Sequence, residues 1–192
     1  MNLKTSIFRD SARELTKVSS LTACSMLAAM AVVLKMTTSV TLGPFIRIGF
    51  YDIPAQIAYM LFGPVTGSLF GGLLDLVEFF VKPEGAYFFG FTFDKMLAGF
   101  LFGMFYYKKK LTFPRILLAE GVERGIVNLF FNTLWLSVLY GKGFLALLPE
   151  RALSNVISWP LYSILFFCVV RAIESTGVFA RFRNASMISG RK

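Results

Sequence analysis

Between Ile46 and Gly103, long apolar runs are broken at regular intervals by glycine, proline and single charges. The breaks are Arg47, Gly49, Pro54, Gly63-Pro64, Gly67, Gly71, Asp75, Pro83-Glu84-Gly85 and Gly90. A plain hydrophobic anchor needs none of them. In lipid, irregular backbone and ionisable side chains are tolerated only against protein or a water-filled cavity, because hydrocarbon offers no hydrogen-bond partner. The pattern predicts a membrane protein that encloses a polar ligand. Charged residues make up 16% of the chain, against about 25% in an ordinary soluble domain, and the mean hydropathy is +0.65.

The apolar runs predict an all-α, polytopic fold with six transmembrane helices, over about 18–36, 46–62, 65–82, 90–107, 115–140 and 151–174. Spans of about 20 residues each leave only short loops. The expected organisation is a cytoplasmic segment 1–17, one six-helix domain 18–175 and a basic cytoplasmic tail 176–192. Residues 1–17 fit either a short interfacial helix or a disordered tail. No short apolar region with a small-residue cleavage site follows Lys4, Arg9, Arg13 and Lys17, so a cleavable signal peptide is not expected. Thirteen of the 20 Lys and Arg residues fall in the N-terminal segment, the 108–115 loop, and the C-terminal tail together with Arg171 at the end of the sixth span. The positive-inside rule then places both termini in the cytoplasm of a multi-pass protein of the bacterial plasma membrane. The net charge of +9 reads as a topology signal and not as nucleic-acid binding, since the basic groups are split among separate segments.

Several chemistries are excluded. The chain has no histidine, so neither a His-based metal site nor a Ser-His or Cys-His catalytic pair is available. Cys24 and Cys168 sit in apolar runs and read as small buried hydrophobes. Gly141-Lys142-Gly143 lacks the upstream glycine and the Ser/Thr of a nucleotide-binding loop. Neither an enzyme nor a cofactor is expected, and ATP-driven uptake would need ATPases from other subunits.

The polar residues inside the spans carry the functional signal. Glu120, Arg124, Asn128 and Asn132 recur at i, i+4, with Trp135 continuing the face; such a stripe lies along one side of a helix. Pairing between helices accounts for Glu120 and Arg124, and ligand contact is open for Asn132 and Trp135. Arg151 and Asn155 open the sixth span, followed by Trp159. Arg151 and Arg47 either snorkel to headgroups or capture an anionic substrate. Asp75 and Glu78 stand in the third span, Asp94 and Lys95 in the fourth, where pairing with neighbours is the simple reading. Asp75 lies deeper and suits a buried partner. Phe91, beside Gly90, belongs to an aromatic cluster that either forms an interfacial belt or stacks on a flat heterocycle.

These motifs resemble the substrate-binding S components of energy-coupling factor (ECF) vitamin transporters, specifically the folate type. The resemblance spans about 18–172. It rests on Ser25-x-x-x-Ala29, on Arg47-Ile48-Gly49-Phe50 with Ile53-Pro54, and on Gly63-Pro64-x-x-Gly67-x-x-x-Gly71-x-x-x-Asp75. Gly90-Phe91-Thr92, Asn132-Thr133-x-Trp135, Tyr140-Gly141 and Pro149-x-Arg151-x-x-x-Asn155 complete it. The glycine-spaced elements specify the superfamily; the Asn-Thr-x-Trp and Pro-x-Arg-x-x-x-Asn elements point to folate. Two departures stand out: Asp94-Lys95, where the family often has small or aliphatic residues, and Ser25 in place of the first alanine of the Ala-x-x-x-Ala pair.

The resemblance implies a substrate pocket near the outer face, roofed by the loops after spans one, three and five. It also implies assembly with a T component and two ATPases, with release of substrate inside. Carried over by position, the pocket takes in Arg47, Thr92, Asn132, Trp135, Arg151 and Asn155, to which the residue reading adds Asp75 and Phe91. A pterin's donor-rich edge suits an amide or carboxylate, and its glutamate tail suits Arg151 or Arg47. Another vitamin, such as pantothenate or riboflavin, or a stand-alone facilitator are the alternatives. The small residues Thr22, Ser25, Ala28 and Ala29 of the first span form the expected partner-subunit face, since small side chains let helices approach closely in lipid.

Overall fold

The structure, a computed structural model, describes residues 3–38, 40–42, 46–48, 50–83, 87–141 and 143–175. In order these form helix α1 (Leu3–Glu14), α2 (Val18–Thr37), a hairpin of strands β1 (Val40–Leu42) and β2 (Ile46–Ile48), and α3 (Asp52–Val81). They continue with α4 (Phe89–Tyr106), α5 (Phe113–Glu123), a π-helical segment Arg124–Asn132, α6 (Thr133–Tyr140) and α7 (Phe144–Ser175). The fold is all-α apart from the hairpin, whose antiparallel register pairs Val40 with Ile48, Thr41 with Arg47 and Leu42 with Ile46.

α3 is two helices joined at a reversal. Gly63 has φ 84 and ψ −172 and is followed by Pro64. Glycine accepts the positive φ without a Cβ penalty, and proline has no N–H with which to continue the helix before it. The chain folds back here. The Tyr59 ring meets Phe70 edge-on at 6.1 Å, and a Cβ on Gly67 would lie 3.4 Å from the Tyr59 Cα. A continuous helix would hold residues 59 and 67 about 12 Å apart. The arms 52–62 and 64–81 are the second and third passes.

α1 staples this reversal. Ser11 is fully buried. Its hydroxyl donates to the Phe62 carbonyl at 2.7 Å and accepts from the Val65 and Thr66 amides at 3.0 and 3.2 Å. The Thr66 hydroxyl donates back to the Ser11 carbonyl at 2.6 Å. These are the backbone groups that a helix end leaves without a partner. Of the two readings of the N-terminal segment, the helix is the one observed over Leu3–Glu14.

The second pass starts later than its apolar run suggested. Residues 46–48 are strand, and the helix begins at Asp52. The alternation Ile46-Arg47-Ile48 has the period of a strand and a β-branched residue at each end. The sixth pass starts earlier, at Phe144, after Gly141 ends α6 in a left-handed cap at φ 66.

α4 runs antiparallel to the second arm of α3 and touches it backbone to backbone. A Cβ on Gly99 would meet the Gly67 carbonyl oxygen at 2.3 Å, one on Gly71 would meet that of Lys95 at 2.4 Å, and one on Gly103 would meet Pro64 at 2.5 Å. Glycines spaced by four let membrane helices pack this closely. Stacked rings tie the passes together: Tyr59 on Phe102 at 6.1 Å, Phe102 on Tyr106 at 5.4 Å, and Tyr106 on Phe166 of α7 at 5.3 Å. α1, the Gly63 turn, the 107–112 loop and the end of α7 share one end, as the contacts Lys108–Asp10 at 2.6 Å and Phe113–Phe167 at 5.6 Å record. This end carries exposed Arg9, Arg13, Lys108, Lys109, Lys110 and Arg171.

Gly99→Ala therefore places a methyl against backbone that cannot retreat, and should destabilise the fold by about 1–3 kcal/mol, the usual cost of overpacking. Gly125→Ala, where an added Cβ meets nothing within 4 Å, should be neutral or slightly stabilising. Thermal unfolding of the detergent-solubilised protein checks both; equal behaviour of the two variants contradicts the packing.

Candidate polar cavity at the end opposite the basic loops

At the other end a cavity of about 310 Å³ opens between both arms of α3, α4, α5, the π-helical segment and Tyr162 of α7, with Lys35 and Tyr51 in its wall. This volume is at the low end of small-molecule sites, which run from about 300 to 1,000 Å³. Among the described residues its lining holds six carboxylates (Asp52, Asp75, Glu78, Asp94, Glu120 and Glu123) and three cations (Lys35, Lys95 and Arg124).

The π-helical segment decides which side chains face it. An α-helix advances about 40° beyond one turn every four residues, so an i, i+4 stripe would drift off the cavity within a few steps. The wider i→i+5 winding over Arg124–Asn132 counters that drift. Glu120, Arg124, Asn128 and Asn132 all line the cavity. The five-residue spacing shows in the side chains too: Asn128 Nδ2 donates to Glu123 at 2.9 and 3.1 Å, and the Thr133 hydroxyl donates to the Asn128 carbonyl at 3.4 Å. Such π-helical turns concentrate at functional sites.

Each cation is committed to a carboxylate. Lys35 of α2 meets Glu78 at 2.9 Å, Lys95 of α4 meets Asp52 at 3.1 Å, and Arg124 lies 3.7 Å from Glu120. Gln56 Nε2 also donates to Glu120 at 2.7 Å. Arg124 stacks over the Tyr162 ring at 4.8 Å, and the Tyr51 ring lies 5.8 Å from the Lys35 ammonium and 5.5 Å from that of Lys95.

The expected site residues divide into three groups. Asn132, Trp135 and Arg151 are joined through Asp94 in one chain of hydrogen bonds. Trp135 Nε1 donates to Asp94 Oδ1 at 3.0 Å, Asn132 Nδ2 to Asp94 Oδ2 at 3.4 Å, and Arg151 Nη1 to Asn132 Oδ1 at 2.6 Å. The Trp135 indole lies on Gly90, where an added Cβ would stand 2.7 Å away, and stacks on Phe131 at 6.2 Å. A second group joins Asp75, Thr92 and Phe91. The Thr92 hydroxyl donates to Asp75 at 2.7 Å and, its proton thus used, accepts from the Tyr87 hydroxyl at 2.9 Å; Phe91 lines the cavity beside them. Asn155 stands apart. It accepts from Arg124 Nη1 at 3.3 Å and donates to the Arg151 carbonyl, but it borders a separate apolar groove between α5 and α7. Arg47 is on β2 opposite Thr41, and its side chain lies outside the described residues. Of the expected roof, residues 39, 43–45, 49, 84–86 and 142 lie outside them as well.

On α2, Thr22, Ser25 and Ala29 are exposed, while Ala28 packs on the core beside Cys24. The Thr22 and Ser25 hydroxyls donate to the carbonyls of Val18 and Leu21, which leaves a smooth face without free polar groups.

Sequence reasoning missed Gln56 and Glu123 and left Asp94 and Lys95 as simple pairs. Gln56 is hidden in the apolar run Ile53–Tyr59. Glu123 lies one position off the i, i+4 stripe and faces inward because a helix presents i+3 as well as i+4. Asp94 bonds to Trp135 and Asn132 and Lys95 to Asp52, so the departure at 94–95 is part of the cavity wall.

The chain is similar in sequence and in fold to known proteins. The family model "ECF transporter, substrate-specific component" matches residues 19–178. The folate transporter FolT of Clostridium novyi (strain NT) is 36% identical over 131 residues, 68% of this chain and 76% of that protein. The FolT of Leuconostoc mesenteroides subsp. mesenteroides is 28% identical over 144 residues, 71% of this chain and 78% of that protein. A crystal structure of FolT bound with folic acid superposes with a TM-score of 0.72 at 31% identity, covering 80% of this chain and 93% of that one.

Lys35→Met should destabilise the protein by about 3 kcal/mol or more, because it leaves the Glu78 side chain, 2% exposed, as an uncompensated buried charge. Lys108→Met breaks a pair that is 55% and 36% exposed and should cost less than about 1 kcal/mol. Denaturant unfolding in micelles separates the two; equal effects would contradict the buried pairing.

Proposed function

Because the chain belongs to the family of ECF transporter substrate-specific components, we propose that it is a folate-binding member, the subunit that captures the vitamin for an ATP-driven importer. The observation that carries this reading is the hydrogen-bond chain Trp135–Asp94–Asn132–Arg151, whose two middle members line the cavity. A pterin presents N–H donors along one edge, which a fixed carboxylate and an amide can accept. The glutamate tail carries two carboxylates, which suit a guanidinium farther out. The folate transporters of C. novyi and L. mesenteroides and the FolT structure bound with folic acid support the same substrate.

In this reading Asp94 and Asn132 orient the heterocycle, and Phe91 and Trp135 supply flat surfaces beside it. Thr92 and Asp75 hold the neighbouring wall, Arg151 and Arg47 attract the tail, and Asn155 acts through Arg124 and Arg151. The protein is a multi-pass protein of the bacterial plasma membrane. The basic end faces the cytoplasm and the cavity faces outward. A T component and two ATPases dock on the exposed face Thr22, Ser25 and Ala29, beside Ala28, and hydrolysis by those ATPases drives release inside.

Calorimetry on the purified subunit, without ATP, should give one folate per chain. The absence of heat at saturating folic acid and reduced folates, with heat from riboflavin or pantothenate, would assign another vitamin. Arg151→Ala and Asn132→Ala should each weaken folate binding about tenfold or more, the value of one charge-assisted contact. Trp135 and Trp159 are the chain's two tryptophans, so folate quenching of fluorescence should survive Trp159→Phe and largely vanish in Trp135→Phe. Ser25→Trp should abolish co-purification with the T component and leave folate affinity intact; loss of both properties would remove this face from the interface.

A further inference from the structure

The cavity has acceptors left over. Glu78 is 2% exposed and Gln56 5%. Lys35 occupies Glu78 Oε2, and Glu78 Oε1 has no hydrogen-bond partner among the described residues. The Gln56 amide is fixed in orientation because its Nε2 donates to Glu120 at 2.7 Å, and its Oε1 likewise has no partner. Both residues line the cavity, Gln56 from the first arm of α3 and Glu78 from the second. A buried acceptor left without a donor costs about 1–3 kcal/mol, so a ligand that brings N–H groups to these atoms recovers that loss. A ligand that brings lone pairs meets them with repulsion.

This asymmetry distinguishes the oxidation states of a pterin. The fully oxidised ring of folic acid carries N–H only at its 2-amino group and N3, and presents lone pairs at N1, N5, N8 and O4. The tetrahydro ring has the same pyrimidine edge and adds N–H donors at N5 and N8. Resting on the folate reading above, we infer that the site selects reduced, tetrahydro pterins over folic acid, with Gln56 and Glu78 as the specificity-determining acceptors.

The test compares folic acid with tetrahydrofolate, titrated anaerobically with reductant into the purified full-length protein. Wild type should bind tetrahydrofolate about tenfold more tightly or better, the value of one charge-assisted hydrogen bond. Glu78→Gln sharpens the test. Its amide oxygen turns to the Lys35 ammonium and its NH₂ takes the place of Oε1, so an acceptor becomes a donor with little change of shape. The preference should collapse toward parity through weaker tetrahydrofolate binding, and a cooperative thermal unfolding transition of the ligand-free variant reports an intact fold. Gln56→Met, which removes the second acceptor, should lower the ratio in the same direction. Equal or tighter binding of folic acid by wild type overturns the inference and leaves the folate reading standing, as does a ratio unchanged in both variants. Failure of wild type to bind either form overturns the folate reading itself.

Discussion

A charge held inside a bilayer must have a partner, and this fold is organised around that requirement. A charge near the membrane centre costs about 2.5–3.5 kcal/mol on insertion scales. The cavity wall nevertheless holds Asp52, Asp75, Glu78, Asp94, Glu120 and Glu123. Each is tied to a group on another element or another turn: Asp52 to Lys95, Asp75 to Thr92, Glu78 to Lys35, Asp94 to Trp135, Glu120 to Gln56 and Glu123 to Asn128. The partners come from α2, the first arm of α3, α4, the π-helical segment and α6. The polar network thus fixes how these passes sit against one another, in a medium where apolar surfaces gain little by meeting.

The rest of the architecture makes that network possible. Glycines 67, 71, 99 and 103 bring α3 and α4 into backbone contact, and the same approach sets Lys95 beside Asp52. The reversal at Gly63 returns the second arm alongside the first, so that Gln56 and Glu78, far apart in a straight helix, share one cavity. Ser11 closes that turn at the opposite end of the molecule. The π-helical winding of Arg124–Asn132 keeps Asn128 and Asn132 on the inner face, where Asn132 links Asp94 to Arg151. Rigid apolar packing at one end therefore supports a polar, partly open site at the other.

Much of this was legible in the residues. Apolar length and Lys/Arg placement gave the helical passes, and Gly63-Pro64 marked the reversal, because a positive φ and a missing N–H leave the backbone few alternatives. Asn132, Trp135 and Arg151 were visible as polar groups in apolar runs. Other features were not local properties. Residues 46–48 continue an apolar run and differ from a helix start only in their alternation. Gln56 and Glu123 gain meaning from the arm or helix opposite. The π-helical segment has no sequence signature of its own, and it is the reason an i, i+4 stripe could stay on one face. Asn155 was grouped with the pocket through the resemblance of the Pro149-x-Arg151-x-x-x-Asn155 element, yet it turns toward Arg124 and the apolar groove.

The central claim is that the cavity between α3, α4 and the π-helical segment is where this subunit holds its vitamin. An experimental structure of the protein with bound folate tests it most directly. The account predicts the pterin within reach of Asp94, Asn132 and the Gln56–Glu78 wall, with the glutamate tail toward Arg151. A ligand lodged instead in the groove between α5 and α7, or a cavity still empty at saturating folate, would contradict it.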